Sequence, residues 1–348
     1  MATYYMALAE LRGLLDEQDA SSTFAPTLTG ALAWMDALDV DSAVRSLTEP
    51  RASQSPKGFF MPAAESLGRY GLQGGAVATE TATRTLVLFG VRACELRAVR
   101  YLDHVLLEGE FTDSLYQQRR NSTVIVSCDC LACTESCFCT MVGGLPYPTE
   151  GFDVNITALD DGCLVEVATD RGREWLGPER LGRLAEASAE QLARRDRLRQ
   201  DMVRRLEEQN AAFGLKLSDQ QPPKLPNDAD GSWGKFSADC VECGACTNIC
   251  PTCHCFYLYD QALGPEEFER VRTWDSCLFS TYHRMAGGPG MKLTPRPRLS
   301  SRLANRVLHK FDYSPQQYGM LGCVGCGRCV EACIGAIDIR QVVKELSE

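Results

Sequence analysis

One cysteine spacing occurs twice in the sequence and gives its clearest chemical signal. The motif C-x2-C-x2-C-x3-C covers 240–250 and recurs over 323–333. Thiolates at every third residue of a tight loop can bind three corners of a cubane 4Fe-4S cluster. Gly244, Gly325 and Gly327 give the two loops the backbone freedom that such a wrap needs. The repeated motif therefore predicts two 4Fe-4S clusters.

The two motifs are expected to share their ligands. In two-cluster ferredoxins the fourth cysteine of each motif binds the cluster of the other motif. We therefore predict two ligand sets, set 1 (Cys240, Cys243, Cys246 and Cys333) and set 2 (Cys323, Cys326, Cys329 and Cys250). Pro251 follows the first motif but Ile334 follows the second, which removes a turn signal and no ligand. Two zinc ribbons are the disfavoured alternative, because zinc sites usually combine two separated CxxC pairs.

A second block of cysteines lies in the N-terminal half. It offers six candidate ligands: Cys94, Cys128, Cys130, Cys133, Cys137 and Cys139. Their spacing leaves open which four would bind a metal centre. A reactive or redox-paired set, such as Cys130 with Cys133, is the alternative. Cys163 stands alone in a strand-like segment and is predicted to pack in the core.

The elements that position this block form a strand, helix, strand unit. The pattern predicts strands over 85–90 and 123–126, with a helix over 94–103 between them. Such a crossover makes the strands parallel, so both end at the same edge of the sheet, where ligands of α/β folds gather. Cys94 follows the first strand and Cys128 the second. A four-thiolate site at this edge is therefore geometrically reasonable.

Two helical stretches flank this unit. An amphipathic helix is predicted over 4–15, and a long one over 179–213. Several arginines surround the apolar face of the long helix. We interpret them as a solvated face with partners such as Asp201, the alternative being a dock for an acidic partner.

The predicted domain organisation has three parts. Residues 1–217 form an α/β domain that carries a cluster at its sheet edge, and 218–234 form a linker rich in Pro and Asp. Residues 235–348 form a ferredoxin-like, largely helical domain with two clusters and an insertion between the motifs. The fold class is thus mixed α/β and α+β.

Composition excludes several classes of protein. The net charge of −10 disfavours a nucleic-acid binder. Closely spaced cysteines, among 18 in total, suit metal ligation better than disulfides. Residues 1–20 show no export signal, so we expect a cytoplasmic protein with reduced thiols. No apolar run reaches the length of a membrane span, so we expect no direct membrane insertion.

Three thiols between the motifs have no assigned role. Cys253, Cys255 and Cys277 are predicted to be buried neighbours of the clusters, although together they could bind a further centre with an open iron site. His254 and His283 are interpreted as ordinary polar residues rather than metal ligands.

Nine segments together resemble a family of cytoplasmic iron–sulfur subunits. It comprises an iron–sulfur component of anaerobic sulfite reductase and the β subunit of nickel–iron sulfhydrogenases. The segments are FFMPAAE (59–65), FGVRACELRAVRYLD (89–103), YQQRRN (116–121), CFC (137–139), CVECGACTNICPTCHCF (240–256), RVRTWDSC (270–277), MAGG (285–288), LHKFDY (308–313) and CVGCGRC (323–329).

The resemblance implies a ligand set for a third 4Fe-4S cluster. Set 3 consists of Cys94, Cys128, Cys137 and Cys139. Cys130 and Cys133 stand where the family more often has other residues, and they are the alternates.

Clusters with four thiolate ligands move single electrons, so three of them predict a non-catalytic electron-transfer subunit. No GxGxxG motif follows a strand and no P-loop is present, so we expect neither flavin nor nicotinamide in this chain. The resemblance implies two partners of an oxidoreductase complex in anaerobic metabolism, a flavoprotein that oxidises NAD(P)H and a catalytic hydrogenase or sulfite reductase subunit. The alternative is a subunit whose own open-site cluster binds a substrate. Arg92, Arg97, Arg272 and Arg328 are candidate counter-charges for the anionic clusters.

Overall fold

The structure of the chain is a computed structural model. It describes residues 2–29, 31–34, 38–72, 76–77, 84–227, 229–282, 284–285 and 294–347. His283 and the part of the MAGG segment after Met285 lie outside the described residues.

The chain combines strands and helices along its whole length. The strands are β1 (Ala2–Ala7), β2 (Thr23–Phe24), β3 (Pro26–Thr29), β4 (Ala31–Trp34), β5 (Ala64–Gly71), β6 (Ala76–Val77), β7 (Leu86–Val91), β8 (Thr123–Cys128), β9 (Val154–Ala158), β10 (Gly162–Val167), β11 (Ala185–Glu186), β12 (Phe256–Ala262) and β13 (Glu267–Trp274). The helices are α1 (Leu8–Asp16), α2 (Val40–Ser46), α3 (Lys57–Phe60), α4 (Ala93–Leu106), α5 (Ser114–Asn121), α6 (Asp170–Leu176), α7 (Pro178–Leu181), α8 (Ala189–Asn210), α9 (Gly234–Ser237), α10 (Ala245–Asn248), α11 (Leu299–Leu308), α12 (Ser314–Tyr318), α13 (Arg328–Glu331) and α14 (Ile339–Ser347).

The N-terminal half is built on a mixed seven-stranded sheet in the order β11-β1-β10-β9-β8-β7-β2. Its β7 and β8 pair directly and in parallel, with α4 between them in the chain. The predicted strand, helix, strand unit is therefore confirmed. The apolar run of β7 is buried on both faces of the sheet, as is usual for a central parallel strand.

Helices cover both faces of this sheet. Leu96, Val99 and Leu102 of α4 pack on one face, and α1 and α2 pack on the other. The first turn of α4 is fixed because the Glu95 carboxylate accepts a 2.8 Å hydrogen bond from the Arg92 amide. Cys94 is thereby held at the edge of the sheet where β7 ends.

Two predicted helices differ in the structure. Residues 2–7 form β1 rather than the start of a helix, because they pair with β10 in the sheet and their aromatic residues suit a strand. The stretch 179–213 divides into α7 and α8. Gly182 ends the first of these, and Ser188 begins the second with a capping box to Gln191.

The C-terminal part is largely helical around a core that includes Leu308, Phe311 and Val342. Its insertion contains the β12–β13 hairpin, which joins β5 and β6 in a four-stranded sheet. The insertion thus pairs with a strand from the N-terminal part. No described helix is both long and apolar enough to cross a bilayer.

Candidate iron–sulfur sites

The four thiols of set 1 face one another around an apolar hollow. The Cys240 thiol interacts electrostatically with the other three thiols, and all four line the hollow beside Leu303, Val307 and Val342. Cys243 is exposed. The four thiols of set 1 therefore share one hollow close to the surface of the protein, and their binding of a cluster stays a prediction.

The thiols of set 2 gather deeper in the protein. Cys329 interacts electrostatically with Cys250, Cys323 and Cys326. Burial raises the pKa of the Cys329 thiol to about 12 and that of Cys323 to about 11. Such thiols are neutral at pH 7 until a metal displaces their protons. This donor set fits a buried thiolate-bound cluster.

Sets 1 and 2 meet at Arg306. Its guanidinium donates to the carbonyl of Cys246 at 3.5 Å and interacts with the Cys329 thiol. Burial disfavours the charge, yet the surrounding cysteines, Cys246 and Cys329 first, raise the pKa of Arg306. Among the described residues, its Nε is a buried donor without a hydrogen-bond partner. An anionic cluster bound by set 1 or by set 2 would give this donor an acceptor.

The N-terminal block forms a cavity of its own, the N-terminal cavity, which is lined by Cys94, Cys130, Cys133, Cys137 and Cys139. Four of these thiols, from Cys130 to Cys139, pack together against Met202 and Leu206 of α8. Cys94 lies beside them and packs against Cys326 of set 2. The N-terminal cavity is therefore a neighbour of set 2.

The structure places Cys128, a member of set 3, away from this cavity. It is the last residue of β8, and its side chain packs in the sheet core with Val126 and Ile156. Burial raises the pKa of Cys128 to about 11, against the opposing effect of the nearby Arg92 guanidinium. In a continuing strand Cys130 would face the same side as Cys128, but β8 ends at Cys128, so the chain can turn and direct Cys130 into the cavity.

Two side chains of α8 hold the wall of the N-terminal cavity through hydrogen bonds. Gln209 and Asn210 both donate to the carbonyl of Cys137, at 2.6 and 2.9 Å. The Cys133 thiol donates to the Gln209 side chain at 3.4 Å. Sequence reasoning missed both residues because amides at the end of a charged helix carry no motif.

The arginines of α8 also have a structural role. Arg199 forms ion pairs with Asp129 at 2.7 Å and with Glu166 at 2.6 Å, and Arg195 pairs with Glu166 at 2.9 Å. These contacts dock the helix on the sheet beside the cavity. The predicted solvated face holds for Arg204, which is exposed and pairs with Asp201 at 3.0 Å.

A buried lysine contacts a set 2 cysteine. The Lys310 ammonium lies 3.3 Å from the Cys250 sulfur and donates to Thr252 at 2.9 Å and to the Gly322 carbonyl at 3.0 Å. A π-helical turn, His309–Tyr313, positions it. Lys310 lies in LHKFDY, one of the segments on which the resemblance rests. The sequence therefore marked this lysine without indicating its contact with Cys250.

The four candidate counter-charges separate into two groups. Arg92 and Arg328 are buried beside N-terminal and set 2 thiols. Burial opposes their charge, but Cys128 and Cys130 raise the pKa of Arg92, and Glu95, which pairs with Arg328, raises that of Arg328 together with Cys326 and Cys94. Arg97 instead binds the Val142 carbonyl and Asp219. Arg272 forms ion pairs with Glu65 and Asp113.

A missed cation, Arg51, links the N-terminal cavity to set 2. It lines the cavity, donates to the carbonyl of Cys326, and pairs with Glu331 at 2.8 Å. Nothing in its local sequence distinguishes it from a surface arginine.

The three unassigned thiols lie beside set 2. Cys253 interacts with Cys250 and with Cys255, and Cys255 interacts with Cys277. His254 packs near the rings of Tyr101 and His309, and burial lowers its pKa to about 4.

Comparison with known proteins identifies the family of the chain. A family model described as a 4Fe-4S dicluster domain matches residues 239–337. The chain is 31% identical over 306 residues to sulfhydrogenase 2 subunit beta of Pyrococcus furiosus, a match that covers 87% of this chain and 86% of that protein. The resemblance found in the sequence is thereby confirmed. The chain carries a 4Fe-4S dicluster domain and belongs to the family of iron–sulfur β subunits of sulfhydrogenases.

Proposed function

We propose that the chain relays electrons through three 4Fe-4S clusters, held by set 1, by set 2 and in the N-terminal cavity. A 4Fe-4S cluster with four thiolate ligands exchanges one electron at a time. The observation that carries the proposal is the unbroken contact between the three thiol groups. Arg306 touches sets 1 and 2, and Cys326 of set 2 packs against Cys94 at the N-terminal cavity.

The contacts give the proposed relay an order. Set 1 has the exposed thiol, Cys243, and forms the end nearest to a redox partner. In set 2, Cys250, Cys323 and Cys326 are buried, which suits an internal position. The N-terminal cavity forms the other end. Buried cations offset the negative charge that this path would carry.

For the third cluster we propose the ligands Cys130, Cys133, Cys137 and Cys139. These four pack as one group, and Cys137 and Cys139 are also members of set 3. Cys94 would remain an unligated neighbour between this cluster and set 2. Cys128 would keep its place in the sheet core.

We propose that the partners are a flavoprotein subunit that oxidises NAD(P)H and a catalytic subunit of hydrogenase or sulfite reductase type, in the cytoplasm. Flavin and nicotinamide would bind to the partner rather than to this chain. The outer edge of β12 offers a docking surface, which we call the β12 edge and define as Phe256–Ala262. Tyr257 is 57% exposed and Leu258 is 44% exposed, and exposed apolar strand edges favour pairing with another chain.

Metal analysis of the anaerobically purified full-length chain tests the proposal. We expect about twelve irons and as many acid-labile sulfides per chain, four for each cubane. A content of about eight irons per chain would exclude the N-terminal cluster. Zinc, or an absence of labile sulfide, would refute the relay altogether.

A further inference from the structure

Cys255 and Cys277 form a thiol pair beside set 2. The β12–β13 ladder ends with Phe256 opposite Trp274, and the Asp275 amide then donates to the Cys255 carbonyl at 3.0 Å. These backbone contacts bring the two cysteines together. The two thiols lie close enough to shift each other's pKa, and the Tyr282 hydroxyl also acts on Cys255.

Neither cysteine of the pair belongs to a proposed ligand set, and both are free thiols. Two neighbouring thiols that bind no metal can form a disulfide when they are oxidised. Cys253 lies between the pair and set 2, because its thiol interacts with both Cys250 and Cys255.

The pair shares a cation with set 2. The Lys310 ammonium contacts the Cys250 sulfur at 3.3 Å and also acts electrostatically on both Cys255 and Cys277. A change of charge at set 2 therefore alters the electrostatic environment of the pair. Hydrogen bonds from Cys277 and Tyr282 lower the pKa of Cys255 to about 6, which favours the thiolate that attacks in thiol–disulfide chemistry.

From this arrangement we infer that Cys255 and Cys277 are a redox-active dithiol that exchanges two electrons with the iron–sulfur centre bound by Cys250. Oxidation breaks two S–H bonds, forms one S–S bond, and releases two protons and two electrons. The centre bound by Cys250, a one-electron carrier, would accept the two electrons one after the other and pass each along the proposed relay. Reduction reverses each of these changes. The pair would store two electrons beside a path that moves electrons one at a time. The inference therefore rests on the proposed relay.

Differential thiol labelling of the full-length, cluster-loaded chain tests the inference. One sample is reduced with dithionite and another is oxidised with ferricyanide, both without oxygen. Each is then denatured in acid with N-ethylmaleimide and analysed by peptide mass spectrometry. Cluster ligands are released as free thiols and become labelled. In the oxidised sample we expect a linked Cys255–Cys277 peptide and two fewer labelled cysteines than in the reduced sample.

Variants separate a disulfide from a ligand role. Cys255→Ser should abolish the linked peptide and leave the iron content unchanged, whereas Cys163→Ser and Cys253→Ser should retain the link. Loss of about four irons in Cys255→Ser would make it a cluster ligand and overturn the inference. Absence of the link at every applied potential in the unmodified chain would also overturn it. The iron content of that chain tests the relay separately.

Discussion

The amide of Phe138 donates a 2.8 Å hydrogen bond to the carbonyl of Gly325, so the CFC segment is fixed directly against the second cysteine motif. Gly325 has a φ of +66°, and a Cβ at this position would lie 2.5 Å from the Cα of Cys139. The glycine is therefore required both by its own backbone conformation and by the close approach of another cysteine segment. Two thiol groups far apart in the sequence become neighbours at this point.

Replacing this glycine should separate the two groups. We expect Gly325→Ala to cost about 2–5 kcal/mol of folding free energy, from the strained backbone and the clash with Cys139. It should also reduce iron bound at the N-terminal cavity. Denaturant unfolding and iron analysis measure these effects. Gly264→Ala is the control, because a Cβ there meets nothing within 4 Å. Equal stability of the two variants would contradict the close contact.

Two serine variants distinguish the proposed third ligand set from set 3. Cys130→Ser should lose about four irons per chain, because Cys130 lines the N-terminal cavity. Cys128→Ser should keep them, because Cys128 packs in the sheet core. Iron content and the electron paramagnetic resonance of the reduced protein report the loss. The opposite result would restore Cys128 as the ligand.

Removal of the buried lysine should make the cluster bound by set 2 harder to reduce. The Lys310 ammonium lies 3.3 Å from the Cys250 sulfur, and a positive charge there favours the more negative, reduced form. We expect Lys310→Met to lower one midpoint potential by on the order of 60 mV, a tenfold change for one electron. A redox titration followed by electron paramagnetic resonance measures it. The exposed Lys224→Met is the control, and an unchanged potential in Lys310→Met would refute this role.

Stability should fall in mild acid because of the buried histidines. Burial lowers the pKa of His254 to about 4 and that of His309 to about 3, from an ordinary value of 6.5. Between these values the unfolded chain binds more protons than the folded chain, so stability decreases as the pH falls below about 7. At pH 5 the expected loss is about 2 kcal/mol for His254. Denaturant unfolding of the unmodified chain from pH 7.5 to 5 should show a steeper decline than that of His254→Asn, and parallel curves would contradict it.

Charges on the β12 edge should weaken assembly without affecting the clusters. We expect Tyr257→Lys with Leu258→Lys to reduce binding of the partner subunits more than tenfold, because lysine on an edge strand opposes pairing with another chain. Co-purification measures binding of the partner subunits, and iron analysis measures the cluster content. Phe111→Lys is the matched control, since Phe111 is 82% exposed elsewhere on the surface. Normal assembly of the double variant would exclude the β12 edge as the docking surface.

The sequence by itself determined the chemistry of the two motifs. The spacing of cysteines within 240–250 and 323–333 is local, so short loops alone bring most members of each set together. The apolar run of β7 and the periodicity of α4 are local signals as well, and both elements were predicted near their observed bounds.

Tertiary structure decided everything that depends on residues distant in the chain. Residues 2–7 became β1 because β10 was available for pairing, which no local pattern announces. Which side of the sheet edge Cys128 and Cys130 face, the approach of Lys310 to Cys250, and the pairing of Cys255 with Cys277 follow from packing between separate segments. Short-range spacing determines which thiols can share a loop, but only the folded chain determines which loops, cations and spare thiols come into contact.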